Sequence, residues 1–317
     1  MQSNHEHHRG HGLRPYTKSW LSPEDQASLL ASRGLCIEDA EVAVALLEHL
    51  SYYRLSGYCV AFEYQRHRFV PEATLSHVDS AHTFDVSLRE LFDRALEIVE
   101  IDLRARVASH FGRKYQAFGH CTPSSFHTPA NRRGVSWHSQ WLERVQKEAS
   151  RSKEVFVVHF ARTYREFPDL PIWMLTEVMS FGLLSRMFAG MHRQDQRAIA
   201  RCYGLQPRFL QTWLHHFVYV RNICAHHGRL WDRVWSVKAQ LPPHSAWQAP
   251  RIVANQKPYT TLLMLAHMVT RVNVRRGSVD AWRRDVSELL HELPVAPAAA
   301  ERLGLPPGWS SSEVWNL

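Results

Sequence analysis

The sequence predicts an all-α protein, a helical bundle with extra N-terminal and peripheral helices, on three observations. Apolar residues recur at three- and four-residue spacing through most of the 317-residue chain, as amphipathic helices require. No segment alternates apolar and polar residues for long enough to demand a central sheet. Several periodic stretches open on Ser or Pro and stop at Gly, the punctuation of helix ends.

Residues 1–20 are polar and bring His5, His7, His8 and His11 close together. With no fixed ligand geometry they read as a flexible tail rather than a metal site. Ser22, followed by Pro23, Glu24 and Asp25, marks a helix start, and Gly34 ends that helix after about Arg33. Glu38 to Leu50 carries Val42, Ala45, Leu46 and Leu50 at helical spacing and leads into Tyr52, Tyr53 and Tyr58, which read as packing residues. After an insert at residues 67–80, Ser87 and Glu90 read as a capping box opening a long helix. Its apolar face is Leu88, Leu91, Phe92, Ala95, Val99, Leu103, Val107 and Phe111, with Arg89, Glu97, Glu100, Arg104 and Arg106 opposite. Residues 112–136 break the pattern with glycines and prolines; this long basic loop reads as a surface excursion, with gripping of single-stranded RNA through Tyr115, Phe118 and Phe126 as the competing role.

Helical spacing returns over 137–148, 155–167, 172–192 and 195–203, and Pro207 opens a helix to about residue 227. Further helices are expected from Lys257 to Arg271 and from Val279 to Glu292, before a proline-rich end that reads as irregular. The expected organisation is a tail over 1–20, a helical domain over 21–275 with its central motif helix at about 207–227, and a C-terminal helix and tail over 276–317.

Lys and Arg number 38 against 30 Asp and Glu, a formal charge of +8 with a pI near 9.4. That excess favours a polyanionic partner such as RNA. The five cysteines, Cys36, Cys59, Cys121, Cys202 and Cys224, are scattered and form no C-x-x-C pair, so neither a disulfide framework nor a zinc knuckle is expected. A reducing cytoplasm fits them. The first residues lack the apolar core of a secretory signal, and no apolar stretch is long enough to span a bilayer, so no membrane association is expected.

The most informative stretch is Arg221-Asn222-Ile223-Cys224-Ala225-His226-His227, at the end of the apolar stripe Phe209, Leu210, Trp213, Leu214, Phe217, Val218, Ile223 and Cys224. A guanidinium holds a phosphate with paired hydrogen bonds at any working pH, and an imidazole both takes and gives a proton near neutrality. These are the groups that metal-free RNA cleavage needs, so no cofactor or metal is expected. Asn222 and His226, at i and i+4, share a helix face, whereas Arg221 and His226 lie some 140° apart around an ideal helix. Convergence on one phosphate requires a long reach by Arg221, fraying near Gly228, or pairing of two copies of the helix. Spacing does not choose between His226 and His227; His226 is preferred because Asn222, one turn back, can orient its ring.

These residues resemble the Abi-like family of bacterial abortive-infection proteins, related to AbiD and AbiF, whose core belongs to the HEPN superfamily. The resemblance covers roughly residues 13–275. It rests on SLLASRGLCIEDAEVAVALLEHLSYYRLSGY, FDRALEIVEIDLRARV, LPIWMLTEVMSFGLLSRMF and RNICAHHGRLWDR followed by KPYTTLLMLAHMV. It implies a helical bundle, frequent homodimerisation, and an arginine followed after four to six residues by histidine in RNA-cleaving members. Arg221 and His226 fit that signature, His227 fits it with one residue more, and Asn222 matches the polar residue after the arginine. The implied chemistry is endoribonucleolytic: attack by a ribose 2′-hydroxyl on the adjacent phosphodiester, with Arg221 and His226 catalytic, Asn222 and His227 supporting, and Arg229 and Arg233 attracting the RNA backbone. The implied biology is a toxin of phage defence held by an RNA or protein antitoxin. The alternative is a non-catalytic module of the same fold that binds RNA or a protein.

Overall fold

Ser22 caps the first helix as the sequence predicts: its hydroxyl accepts the Asp25 N–H at 3.2 Å, and Pro23 occupies the first turn. In the computed structural model, which describes residues 15–127, 136–252, 254–272 and 276–315, the chain is all-α. The histidines of the N-terminal tail, and Arg132 and Arg133 of the basic loop, lie outside the described residues. The chain divides into two compact units, Met1–Asp79 and Ser80–Leu317.

The first unit contains α1 (Pro23–Ser32), α2 (Ala40–Leu50) and α3 (Tyr52–Cys59), followed by a small antiparallel hairpin of β1 (Glu63–Gln65) and β2 (Arg68–Phe69). Gly34 ends α1 at φ +100°, a backbone conformation that glycine adopts without steric cost. Asp39 caps α2 by accepting the N–H groups of Glu41 and Val42. Leu30, Leu47, Leu55, Tyr58 and Phe62 form this unit's core. Tyr58 is the packing residue the sequence suggests; Tyr53 is exposed, and the Tyr52 hydroxyl accepts from Arg33 at 2.6 Å.

The unit boundary falls inside α4 (Leu75–Tyr115), a helix of 41 residues. Ser87 and Glu90 are therefore not a capping box but lie mid-helix. The expected insert at 67–80 holds β2 and the first turn and more of α4, because buried Leu75, Val78 and Ala81 extend the apolar stripe upstream. All eight residues expected on the apolar face of α4 are buried. Arg89, expected on the solvent side, is buried as well, through an ion pair with Asp85 one turn back.

The second unit continues with α5 (Trp137–Arg151), α6 (Val155–Thr163), α7 (Ile172–Val178), α8 (Phe181–Gly190), α9 (Arg193–Cys202) and α10 (Pro207–Ala225). It closes with α11 (Pro258–Val272), α12 (Arg276–His291) and the short α13 (Ala299–Leu303). The helix expected over 172–192 is two: Met179 and Ser180 adopt extended backbone, and the Ser180 N–H donates to the Glu148 carboxylate at 2.7 Å. The stretch read as a surface excursion, with RNA gripping as the competing role, is partly packed over its described residues 112–127. Phe126 is buried against Phe111 and Trp141, and the Tyr115 hydroxyl donates to Asp195 at 2.7 Å. The proline-rich C-terminus is not wholly irregular either, since α13 and buried Trp315 belong to the core.

The spine of this unit is α4. Trp282 of α12 donates its indole N–H to the Leu91 carbonyl at 2.8 Å, and the Tyr203 hydroxyl, just past α9, donates to Asp102 at 2.6 Å. Asp195 in the first turn of α9 takes hydrogen bonds from Lys114 and Tyr115, with His110 at 2.9 Å. Around α10, Trp213 donates to the Gln240 carbonyl at 2.9 Å, and buried His216 bridges the Val237 carbonyl and the Thr261 hydroxyl of α11. Among the described residues no helix is long and apolar enough to cross a membrane.

Candidate functional site

The sequence motif occupies the last turn of α10 and the chain just beyond it. Phe209, Leu210, Trp213, Leu214, Phe217, Val220 and Cys224 anchor the helix in the core. Val218 and Ile223, expected in the same stripe, are only half-buried, while His216 is buried among it. The helix ends in a Schellman motif: the His227 N–H donates to the Cys224 carbonyl at 2.8 Å, and the Gly228 N–H donates to the Ile223 carbonyl at 2.8 Å. His226 is the capping residue, and His227 holds the left-handed position at φ +54° that glycine usually fills. Gly228 is required for a different reason: a Cβ there would meet Ile223 Cγ2 at 2.9 Å and the Ile223 carbonyl at 3.2 Å.

The turn presents Arg221, half-buried, with exposed Asn222, His226 and His227. Arg221 donates to the Asn222 side-chain carbonyl at 3.4 Å, so the amide expected to orient His226 is hydrogen-bonded instead to the neighbouring guanidinium. Arg221 and His227 both act electrostatically on Asp93 of α4. His226 stands exposed at the end of the helix. Burial raises the pKa of Asp93 above the usual carboxylate range, against hydrogen bonding from Cys224 and the positive fields of Arg221, Arg89 and His227. Burial likewise pushes the Cys224 thiol upward, with the Asp93 charge adding to it. That thiol is a hydrogen-bond donor and core residue rather than a nucleophile.

Beyond the turn the chain is clamped by a residue that sequence reasoning did not single out. Asp85, fully buried on α4, accepts the N–H groups of Leu230 at 2.9 Å and Trp231 at 2.6 Å, and pairs with Arg89. A buried carboxylate without such donors would be costly, and breaking one partner from a buried pair costs about 3–5 kcal/mol. Asp85, Arg89 and Asp93 recur every four residues on α4, so one helix face supports the motif from cap to loop. That spacing was visible in the sequence; its target, 145 residues away, was not.

Arg229 and Arg233, expected to meet an RNA backbone, are half-buried. Arg233 Nε donates to the Arg229 carbonyl at 2.5 Å, and its guanidinium also bonds the Tyr219 hydroxyl. Burial alone would raise the Tyr219 pKa, but bonds from Ser236 and Arg233 outweigh it and hold the value below that of an ordinary tyrosine.

Two surface depressions adjoin these elements. One, of about 530 Å³, is lined by Arg94, Arg104 and Arg221 with Asp93, Glu97, Glu100 and Glu177, so its charge is mixed. The other, of about 480 Å³, lies among α5, α8 and α10 and is basic through Arg144, Lys147, Arg151, Arg186 and His215. Its Glu148 carboxylate is already bonded to the Ser180 N–H. Among the described residues no cluster of three or more His, Cys, Asp or Glu side chains is arranged to hold a metal ion.

Comparison with known proteins gives one match: the family model described as Abi-like protein fits residues 45–232, more than half of the chain, and contains the whole motif turn and its α4 support. No curated protein and no solved structure matches the chain.

Proposed function

The chain belongs to the Abi-like protein family, whose name ties it to abortive infection and phage defence, and from that premise we propose that it is a metal-independent endoribonuclease of HEPN type. The observation that carries the reading is the helix end itself. It holds a guanidinium whose hydrogen bond is to a neutral amide, and an imidazole open to solvent, on a turn whose following chain is clamped by two backbone N–H groups to buried Asp85. Fixed groups of this kind can stabilise developing charge without reorganising at the moment of reaction.

In this reading Arg221 neutralises charge building on the phosphoryl oxygens. His226 takes the proton of a ribose 2′-hydroxyl or returns one to the departing 5′-oxygen. Asn222 holds the guanidinium, and His227 with Asp93 fixes the turn. One principal imidazole per chain serves one proton transfer at a time, so the complete site calls for a second copy of the turn from a homodimer. The basic groove among α5, α8 and α10 supplies a track for the RNA backbone, with Arg229 and Arg233 adding positive charge nearby. An RNA or protein antitoxin would restrain the toxin by occupying these same surfaces.

One observation favours a second reading, a non-catalytic interaction module. The depression beside Arg221 sets four carboxylates among three arginines, a mixed charge that suits a protein segment better than a phosphate.

The test is incubation of the wild-type protein with mixed RNA in the presence of a chelator, followed by analysis of the product ends. Cleavage that persists and yields 2′,3′-cyclic phosphate and 5′-hydroxyl ends supports the nuclease. RNA left intact for hours at concentrations that favour dimers would be evidence for the interaction module, and strong inhibition by the chelator would point to a metal that the motif does not supply.

A further inference from the structure

A cavity of about 330 Å³ in the second unit shares no lining residue with the Arg221 depression. It is bordered by Arg251, Arg271 of α11, Arg283 of α12, Trp247 and His267. We infer that this cavity binds a nucleotide, with its arginines gripping the phosphate and Trp247 offering a flat wall to the base.

Three arginines and one exposed carboxylate, that of Glu313, line the cavity. Arg283 is committed to backbone carbonyls of Glu313 and Val314 and lies 3.9 Å from Asp280. Arg271 hydrogen-bonds His267, donating to its Nδ1 at 3.0 Å and to its carbonyl at 3.2 Å, and both acceptors are neutral. Arg251 Nε is buried with no hydrogen-bond partner among the described residues. A buried guanidinium N–H without an acceptor is expensive. Arg271 itself is exposed, and partial desolvation lowers its pKa.

The His267 imidazole in the same lining cannot act as a counter-charge or as a further cation. His267 donates Nε2–H to the Tyr203 carbonyl at 2.9 Å and accepts on Nδ1, which fixes a neutral tautomer; burial brings its pKa down to about 4, with Arg271 pushing the same way. What the buried Arg251 N–H lacks is an acceptor oxygen, which a phosphate supplies to guanidinium forks in pairs. The half-buried Trp247 ring is braced edge-on by Trp213 at 4.9 Å and by His267 at 5.4 Å, leaving a rigid aromatic surface beside that charge. Base–aromatic stacking contributes about 1–3 kcal/mol. The volume lies at the small end of ligand pockets, room for one mononucleotide rather than a polymer.

The inference does not rest on the nuclease reading, and binding alone tests it. The full chain is titrated by calorimetry with AMP, ATP, adenosine and inorganic phosphate. AMP or ATP should bind with a Kd below about 1 mM, adenosine and phosphate at least about tenfold more weakly. Arg271→Gln and Arg251→Gln should each weaken nucleotide binding at least about tenfold, and Trp247→Ala should remove the preference for AMP over phosphate. Arg251, on a loop, provides the variant if Arg271→Gln disturbs α11. Absence of binding by either nucleotide at about 10 mM, affinity for phosphate equal to that for AMP, or unchanged binding in the folded arginine variants would overturn the inference.

Discussion

His227 sits where glycine ordinarily ends a helix, at φ +54°, and its left-handed backbone costs on the order of 1 kcal/mol that glycine would not. Strain of this size persists at a helix end when the side chain has a use, and here the imidazole acts electrostatically on Asp93, as Arg221 does. Replacing it by glycine relieves the backbone while keeping both Schellman hydrogen bonds. His227→Gly should therefore raise the melting temperature of the second unit by about 2–4 °C, and a lower one would show that the imidazole's contacts outweigh the strain. The residues of the motif were legible in the sequence because type and spacing carry their chemistry. The cap geometry was not, since a histidine in a glycine position gives no local signal. Nor was the pairing of Asn222 with Arg221, which replaced the Asn222–His226 relation suggested by i, i+4 spacing.

At the scale of elements, α10 and α11 are joined through a buried imidazole. His216 bridges the Val237 carbonyl and Thr261, and burial holds its pKa down to about 4; His267 on α11 and His120 near the end of α4 are depressed to about 4 by the same cause. The ordinary histidine value is about 6.5, so the unfolded chain takes up these protons first as pH falls. Their contribution to stability is complete above about pH 6.5 and is lost as pH falls toward 4. Denaturant midpoints of the second unit should consequently drop across that window, before most carboxylates titrate. His216→Gln, which can keep one hydrogen bond without a titrating ring, should flatten the slope; an unchanged profile would contradict the assignment. The apolar stripes of α4 and α10 were readable from periodicity. The start of α4 was misplaced because Ser87 and Glu90 imitate a cap inside a helix whose buried stripe already runs from Leu75. Arg89 was misplaced because periodicity assigns a charge to solvent unless its partner, here Asp85, is recognised.

For the molecule as a whole, the net charge of +8 is distributed unevenly. A basic groove lies among α5, α8 and α10, while carboxylates and arginines mix in the depression beside Arg221. Composition reported the basic excess but not its place, because a sum carries no position. The all-α architecture was legible throughout, whereas the support of the motif by Asp85 and Asp93 required long-range folding to appear. The central claim is that the guanidinium and imidazole at the end of α10 perform RNA cleavage. It is tested most directly by comparing wild-type, Arg221→Ala and His226→Ala proteins on one labelled RNA, with circular dichroism and melting to verify each fold. The account predicts that both variants remain folded and lose at least about 100-fold in cleavage rate. A folded His226→Ala or Arg221→Ala protein that cuts as fast as the wild type would contradict it.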